Sequence, residues 1–179
     1  MKKVLAISGS TRKNSTNHNL LNAIADLSAN DFTVERFEGL MELPHFNPDD
    51  DTEHVAPAVT AFREKIKQAD GVIVCTPEYA AGVPGTLKNA LDWCVSTTVF
   101  SKKPVALITA SSMGERGHAS LLETLRIIEC NTPDELQLLI QFAKTKIAKD
   151  NTITDVATLS QVQSLLRYFV ETLNTGGSV

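Results

Sequence analysis

Apolar and polar positions alternate along this chain in a way that predicts five strands and five helices. Val4-Leu5-Ala6-Ile7 is a continuous apolar run after two lysines, the pattern of a parallel strand buried on both faces. A polar loop follows, and then Leu20, Ile24 and Leu27 recur on one stripe, which predicts a helix. Phe32–Phe37 is more polar and partly alternating, as expected near a sheet edge. Residues 38–54 read as a long connection with Pro44, Pro48 and the run Asp49-Asp50-Asp51, a solvated loop with a helix cap at Asp51 or Thr52. Val59, Phe62, Ile66 and Ala69 mark the second helix.

Gly71–Thr76 is the next buried strand, followed by the loop Pro77–Gly85 and a helix with Leu87, Ala90, Leu91, Cys94 and Val95 on one stripe. Pro104–Thr109 predicts a fourth strand, Ala110–Gly117 a loop, and Leu121, Leu125 and Ile128 a fourth helix. A fifth strand lies within Glu135–Phe142, and Val162, Leu165, Leu166, Phe169 and Val170 face inward from a last helix over 158–173. Strands alternating with helices predict an α/β, doubly wound, five-stranded parallel sheet with the flavodoxin-like order 2-1-3-4-5. Residues 1–175 read as one domain and 176–179 as a flexible tail.

In that order the ligand crevice opens between the first and third strands, at their carboxyl ends. The first of the loops there, Ser8 to Asn17, precedes a helix, an arrangement that aims backbone N–H groups and a helix N-terminus at an anion. Ser10, Thr11, Ser15 and Thr16 add hydroxyls, and Arg12 adds a planar charged fork suited to phosphate. A Ser/Thr-rich turn that only caps the helix would have the same composition. The loop lacks G-x-x-x-x-G-K-[ST], and with Gly9 alone it lacks G-x-G-x-x-G, so a terminal monophosphate fits it better than a nucleoside triphosphate or a pyrophosphate.

In the second loop Pro77 and Pro84 stiffen the chain, Gly82 and Gly85 let backbone approach a flat ring, and Ala80 and Ala81 leave room above it. Tyr79 either packs against that ring or fills core under the loop. Glu78 has no histidine or second carboxylate near it in sequence and reads as a hydrogen-bonding loop residue. The fourth strand delivers Ser111, Ser112, Met113 and Gly114 to the same edge.

Composition narrows the chemistry. The 179-residue chain is 42% hydrophobic, 21% charged and carries a net charge of −4, with no basic stripe for a nucleic-acid partner. No apolar run approaches a membrane span, and Met1-Lys2-Lys3 enters the first strand without a signal-peptide core, so a cytoplasmic location is expected. Cys75, Cys94 and Cys130 read as buried thiols, and His18, His45, His54 and His118 as scattered surface or helix-start residues. No metal site, no G-x-S-x-G elbow and no catalytic side-chain constellation is read, which assigns the chemistry to a bound cofactor. A planar, monophosphorylated cofactor points to FMN.

Gly9-Ser10-Thr11-Arg12-Lys13-Asn14-Ser15-Thr16-Asn17 resembles the G-S-x-R-x-x-S-x-N phosphate loop of the NAD(P)H-dependent FMN reductase family. Pro77-Glu78-Tyr79, through Val83-Pro84-Gly85-Thr86-Leu87-Lys88-Asn89-Ala90-Leu91-Asp92-Trp93, is similar to its P-E-Y-N-x-x-x-P-G-x-L-K-N-A-[IL]-D-W signature, and Ser111–Gly114 to its third loop. The resemblance implies FMN phosphate on Ser10, Arg12, Ser15 and Asn17, and the ring against Glu78, Tyr79, Ala80 and Ala81 with Ser111 or Ser112 nearby. It implies NADPH or NADH as reductant, a small-molecule electron acceptor such as a quinone, flavin or azo compound, and a homodimer or homotetramer. Lys88, Asn89, Asp92 and Trp93 become helix and subunit-interface residues. Ala80 stands where the family usually has Asn, and His118 replaces the second Gly of its G-x-x-G-G. Two rival readings are a flavodoxin-type electron carrier and a non-catalytic FMN-binding protein.

Overall fold

The computed structural model describes residues 1–175, so the expected tail over 176–179 lies outside the described residues. Five parallel strands, β1 (Lys2–Ser8), β2 (Phe32–Phe37), β3 (Gly71–Thr76), β4 (Val105–Ala110) and β5 (Gln137–Ile140), form one sheet in the order β2-β1-β3-β4-β5. The order reverses between β1 and β3, whose pairing runs Val4↔Gly71 to Ser8↔Cys75. The helices are α1 (Thr16–Leu27), α2 (Pro57–Gln68), α3 (Gly85–Asp92), α4 (Glu115–Ile127), a single turn α5 (Ala143–Lys146), and α6 (Val156–Thr175). Turn α5 is not predicted by the sequence pattern.

Alternation along each buried strand divides the core in two. Val4, Ala6, Ile73, Cys75, Ala106 and Ile108 face α1 and α6, while Leu5, Ile7, Val72, Val74 and Leu107 face α2, α3 and α4. The stripes on the helices meet these faces with some corrections. Leu20 and Ile24 are buried, but Leu27 is 42% exposed beside a recess toward α6, and Leu21 and Ala23 complete the apolar face instead. Helix α3 stops at Asp92, so Cys94 reaches the core from the following turn and Val95 is exposed.

The connection after β2 contains two short 3-10 turns, and α2 begins at Pro57 without a side-chain cap. Asp51 is therefore not a helix cap. It accepts from the Arg63 guanidinium at 2.8 Å and from Ser96, while Arg63 Nε also donates to the Trp93 carbonyl at 2.8 Å. Partial burial works against the charged form of Asp51, but the hydrogen bonds from Ser96 and Arg63 hold its carboxyl below the usual carboxylate range. Trp93 is buried, and its indole N–H donates to the Pro44 carbonyl at 2.9 Å, tying the same connection to α3. No helix among the described residues is long and apolar enough to cross a membrane.

Candidate functional site

Strand β1 runs into its loop through Gly9, whose amide donates to the Cys75 carbonyl at 2.9 Å and extends the sheet by one bond. A Cβ at Gly9 would lie 2.2 Å from Thr76 Oγ1, so only glycine permits this approach to the end of β3. Ser10 is then fixed twice: its amide donates to Ser8 Oγ at 3.2 Å, and its carbonyl accepts from Ser8 Oγ and lies 2.9 Å from His18 Nε2. A carbonyl only accepts, so His18 Nε2 carries a hydrogen here. Desolvation, with the nearby Arg36 charge, lowers the His18 pKa. Ser15 caps α1 and accepts from the Asn17 amide at 3.2 Å. The exposed Arg12 beside this cap forms no ion pair among the described residues.

Asn17 is buried, and its side chain bridges the two neighbouring strands. Its amide donates to the Ala110 carbonyl at 3.2 Å, and its carbonyl lies 3.2 Å from the Cys75 thiol. Asn17 thus ties the start of α1 to the carboxyl ends of β3 and β4. Complete burial pushes the Cys75 thiol far above its ordinary range, so it is an inert donor; Cys94 and Cys130 are pushed up to about 12.

Beyond β3, Tyr79 and Gly82 exchange backbone hydrogen bonds of 3.0 and 2.9 Å around Ala80 and Ala81. Both alanines are left-handed, with φ of 48° and 58°, the geometry of a type I′ turn. Gly82 and Gly85 have ordinary or open surroundings and do not have positive φ, so the structure does not require glycine at either. The turn holds Tyr79 48% exposed, as a surface against which a ring can pack rather than as core filling.

Glu78 joins this loop to the next. Its amide donates to Ser111 Oγ at 3.2 Å, and its carboxylate accepts from the Gly117 amide at 2.6 Å and the Gly114 amide at 3.4 Å. These are N-terminal amides of α4, so Glu78 is a helix cap supplied from the loop after β3. Gly114 is left-handed at φ 98°, and a Cβ there would also meet Leu139 at 2.7 Å. His118, inside α4, has Nδ1 2.9 Å from Thr109 Oγ1, and burial lowers its pKa. It packs against β4 outside the crevice.

The crevice between these loops is lined by Ser10, Arg12, Ser15, Thr16, Asn17, Pro77, Glu78, Tyr79, Ser111 and Ser112, all named by the sequence pattern. Thr11, Ala80, Ala81, Gly82 and Gly114 do not line it: Thr11, Ala80 and Ala81 are exposed beside it, Gly82 closes the turn, and Gly114 is buried at the start of α4. Ala110, Ala143 and Lys144 complete the lining unpredicted. The signal for Lys144 was topological, because the chain leaving β5 emerges at the same sheet edge. Among the described residues no group of three or more His, Cys, Asp or Glu could hold a metal ion. The free hydroxyls, the unpaired Arg12, the ammonium of Lys144 and the N-terminus of α1 form a donor set that fits a phosphate dianion. Glu78 is the one carboxylate in the lining and is already held by α4 amides, so no acid–base pair stands ready.

The sequence profile of the family described as NADPH-dependent FMN reductase matches residues 2–145. A 2-hydroxy-1,4-benzoquinone reductase of a Burkholderia species is 32% identical over 174 residues, covering 92% of each chain. A quinone reductase of Escherichia coli K12 is 38% identical over 129 residues, 70% of this chain and 68% of its own length. In structure the chain is similar to the flavoenzyme NAD(P)H:(acceptor) oxidoreductase FerB of Paracoccus denitrificans, with a TM-score of 0.84 at 28% identity over 98% of this chain and 99% of that one. The chain belongs to the NADPH-dependent FMN reductase family, with the flavodoxin-like fold.

Proposed function

We propose that this FMN reductase family member oxidises NAD(P)H and reduces a small flat acceptor, with a quinone as the first candidate and an azo compound as the second. The observation that carries this is convergence: the loops after β1, β3 and β4 meet at the point where strand order reverses, with phosphate donors at one end of the crevice and an exposed aromatic at the other. Ser10, Arg12, Ser15, Thr16 and Lys144 would hold the FMN phosphate. Tyr79 would flank the ring, with the Glu78 and Ser111 backbone and hydroxyl groups along its polar edge. FMN, when bound, supplies the two-electron chemistry between nicotinamide and acceptor. The protein contributes position: Asn17 ties the start of α1 to the ends of β3 and β4, the Glu78 cap fixes the third loop against the second, and the left-handed turn holds Tyr79 at the mouth.

No side chain of the lining is assigned as an obligatory acid or base. Homologous quinone reductases and their small acceptors support the acceptor class. A cytoplasmic location fits the unpaired thiols, with Cys75 and Cys94 buried and Cys130 half-buried; a homodimer or homotetramer rests on the family resemblance alone, because Trp93 of the α3 signature is buried in its own chain and Asn89 bonds to Pro44 and Phe46. The test is oxidation of NADPH and NADH by FMN-loaded protein, with and without a simple quinone. Quinone-dependent turnover is expected. A bound yellow flavin that neither nicotinamide reduces would instead assign the chain as an electron carrier.

A further inference from the structure

Phe142 stands between β5 and the turn α5 with φ 53° and ψ 36°, a left-handed backbone that disfavours any residue with a Cβ. It is the one aromatic among the described non-glycine residues with positive φ. Core burial does not offset that cost, because Phe142 is 59% exposed. Its neighbours hold the backbone in place instead. The Phe142 amide donates to the Ser112 carbonyl at 3.1 Å, the Ala143 amide donates to the Ser111 carbonyl at 3.0 Å, and the Phe142 carbonyl accepts from the Thr145 amide at 2.9 Å. Backbone strain that its surroundings hold in this way clusters at functional sites.

The same bonds place Phe142 at the rim of the crevice. Ser111 and Ser112 line the crevice from the loop after β4, and Ala143 and Lys144 line it from the segment after β5. Met113 follows the first pair and is 51% exposed, and Phe142 precedes the second. Two exposed apolar residues therefore continue the wall just beyond the lining, on segments that the Phe142–Ser112 hydrogen bond joins. We infer that Phe142 and Met113 form an apolar shelf that receives the second ring of a fused-ring quinone, which makes Phe142 a specificity-determining residue for the electron acceptor. The inference deepens the proposed function and rests on it. Glu78 and Ser111, inside the lining, serve the polar edge of a flavin; a phenyl and a thioether outside it serve an uncharged ring, through aromatic and sulfur contacts. A single-ring quinone has no second ring to place there, and an inorganic oxyanion finds no charge on the shelf.

The experiment compares 2-methyl-1,4-naphthoquinone with tetramethyl-1,4-benzoquinone on the FMN-loaded full chain. Binding is read by calorimetric titration of the oxidised protein without nicotinamide, and turnover by NADPH oxidation. Phe142→Ala is expected to weaken naphthoquinone binding about five- to tenfold and to raise its KM by the same factor with kcat little changed, while the benzoquinone shifts by less than about twofold. Phe142→Tyr, which keeps the ring, should retain naphthoquinone affinity. Phe142→Gly should lose that affinity without lowering the melting temperature, because glycine adopts the left-handed backbone freely. Equal weakening of both quinones in Phe142→Ala, or a changed molecular mass in solution that assigns the shelf to a contact between subunits, overturns the inference and leaves the crevice reading intact. Failure of the unaltered FMN-loaded chain to reduce either quinone would remove the proposed function and this inference with it.

Discussion

Ala80 and Ala81 occupy left-handed backbone, which disfavours any residue with a Cβ by roughly 1 kcal/mol or more and favours Asn followed by Gly in a type I′ turn. The family signature has Asn at the first of these positions, and the turn geometry supplies the reason without reference to any ligand. We predict that Ala80→Asn/Ala81→Gly stabilises the protein by about 1 kcal/mol, raising the melting temperature by about 2–4 °C. A lower melting temperature would show that the turn is held by something other than its local backbone preference. His118 gives a second prediction at this scale. Burial lowers its folded-state pKa below the unfolded value near 6.5, so its contribution to stability is full above that value and is lost as pH falls from about 6.5 through the folded pKa. Stability measured by denaturant titration should therefore decline below pH 6.5, and His118→Asn, which keeps a polar group near Thr109, should make that decline shallower, the remainder including the contribution of His18, whose pKa is also lowered.

At the scale of elements, the informative joint is the one between the loop after β3 and helix α4. An α-helix leaves its first amides without internal partners, and α4 begins at Glu115 with no side-chain cap from its own N-cap residue, Gly114. Glu78 satisfies two of those amides from the loop after β3. Glu78→Ala is expected to destabilise the protein by about 1–2 kcal/mol, and Glu78→Gln, which can still accept, by less. Equal losses in both variants would mean that charge on the helix dipole, rather than the hydrogen bonds, carries the cap. This joint also shows what a sequence does and does not reveal. The strands Phe32–Phe37 and Gly71–Thr76 are legible to the residue because burial on one or both faces writes itself directly into apolar pattern. That the loop after β1 and Pro77–Tyr79 line the crevice is legible because hydroxyls, arginine and proline have few other uses at a strand end. Glu78 reads only as a hydrogen-bonding residue, since its partners lie 36 and 39 positions away. Asp51 differs from its sequence pattern for the same reason: an acidic residue before a helix looks like a cap, whereas its partner Ser96 is 45 positions distant. Lys144 was missed because the turn α5 has no apolar period of its own.

At the scale of the whole molecule, the candidate crevice lies at the carboxyl end of the sheet, while the two apolar cores lie on the sheet's faces. Contributions to folding and to cofactor binding can therefore be tested on one molecule. FMN that binds only the folded chain should stabilise it by about 2.7 kcal/mol when present at a hundredfold excess over its dissociation constant. For a chain of this length that corresponds to a rise of roughly 5–10 °C in melting temperature. Arg12 isolates the binding contribution, because it is exposed and forms no ion pair among the described residues. Arg12→Ala should leave the melting temperature of the flavin-free protein within about 1 °C of its original value, as surface substitutions away from structural joints usually do. The same variant should lose about half or more of the FMN-dependent rise at the original FMN concentration, since a charge-assisted contact to phosphate is worth about tenfold or more in affinity. Asn17→Ala should behave in the opposite way, lowering the flavin-free melting temperature because the Ala110 carbonyl and the Cys75 thiol lose their buried partner. A thermal melt with and without FMN on the two variants thus separates the residue proposed to hold the phosphate from the residue that ties α1 to the ends of β3 and β4. If Arg12→Ala kept the full FMN-dependent rise, the phosphate would have to be carried by the hydroxyls, the α1 N-terminus and Lys144 alone.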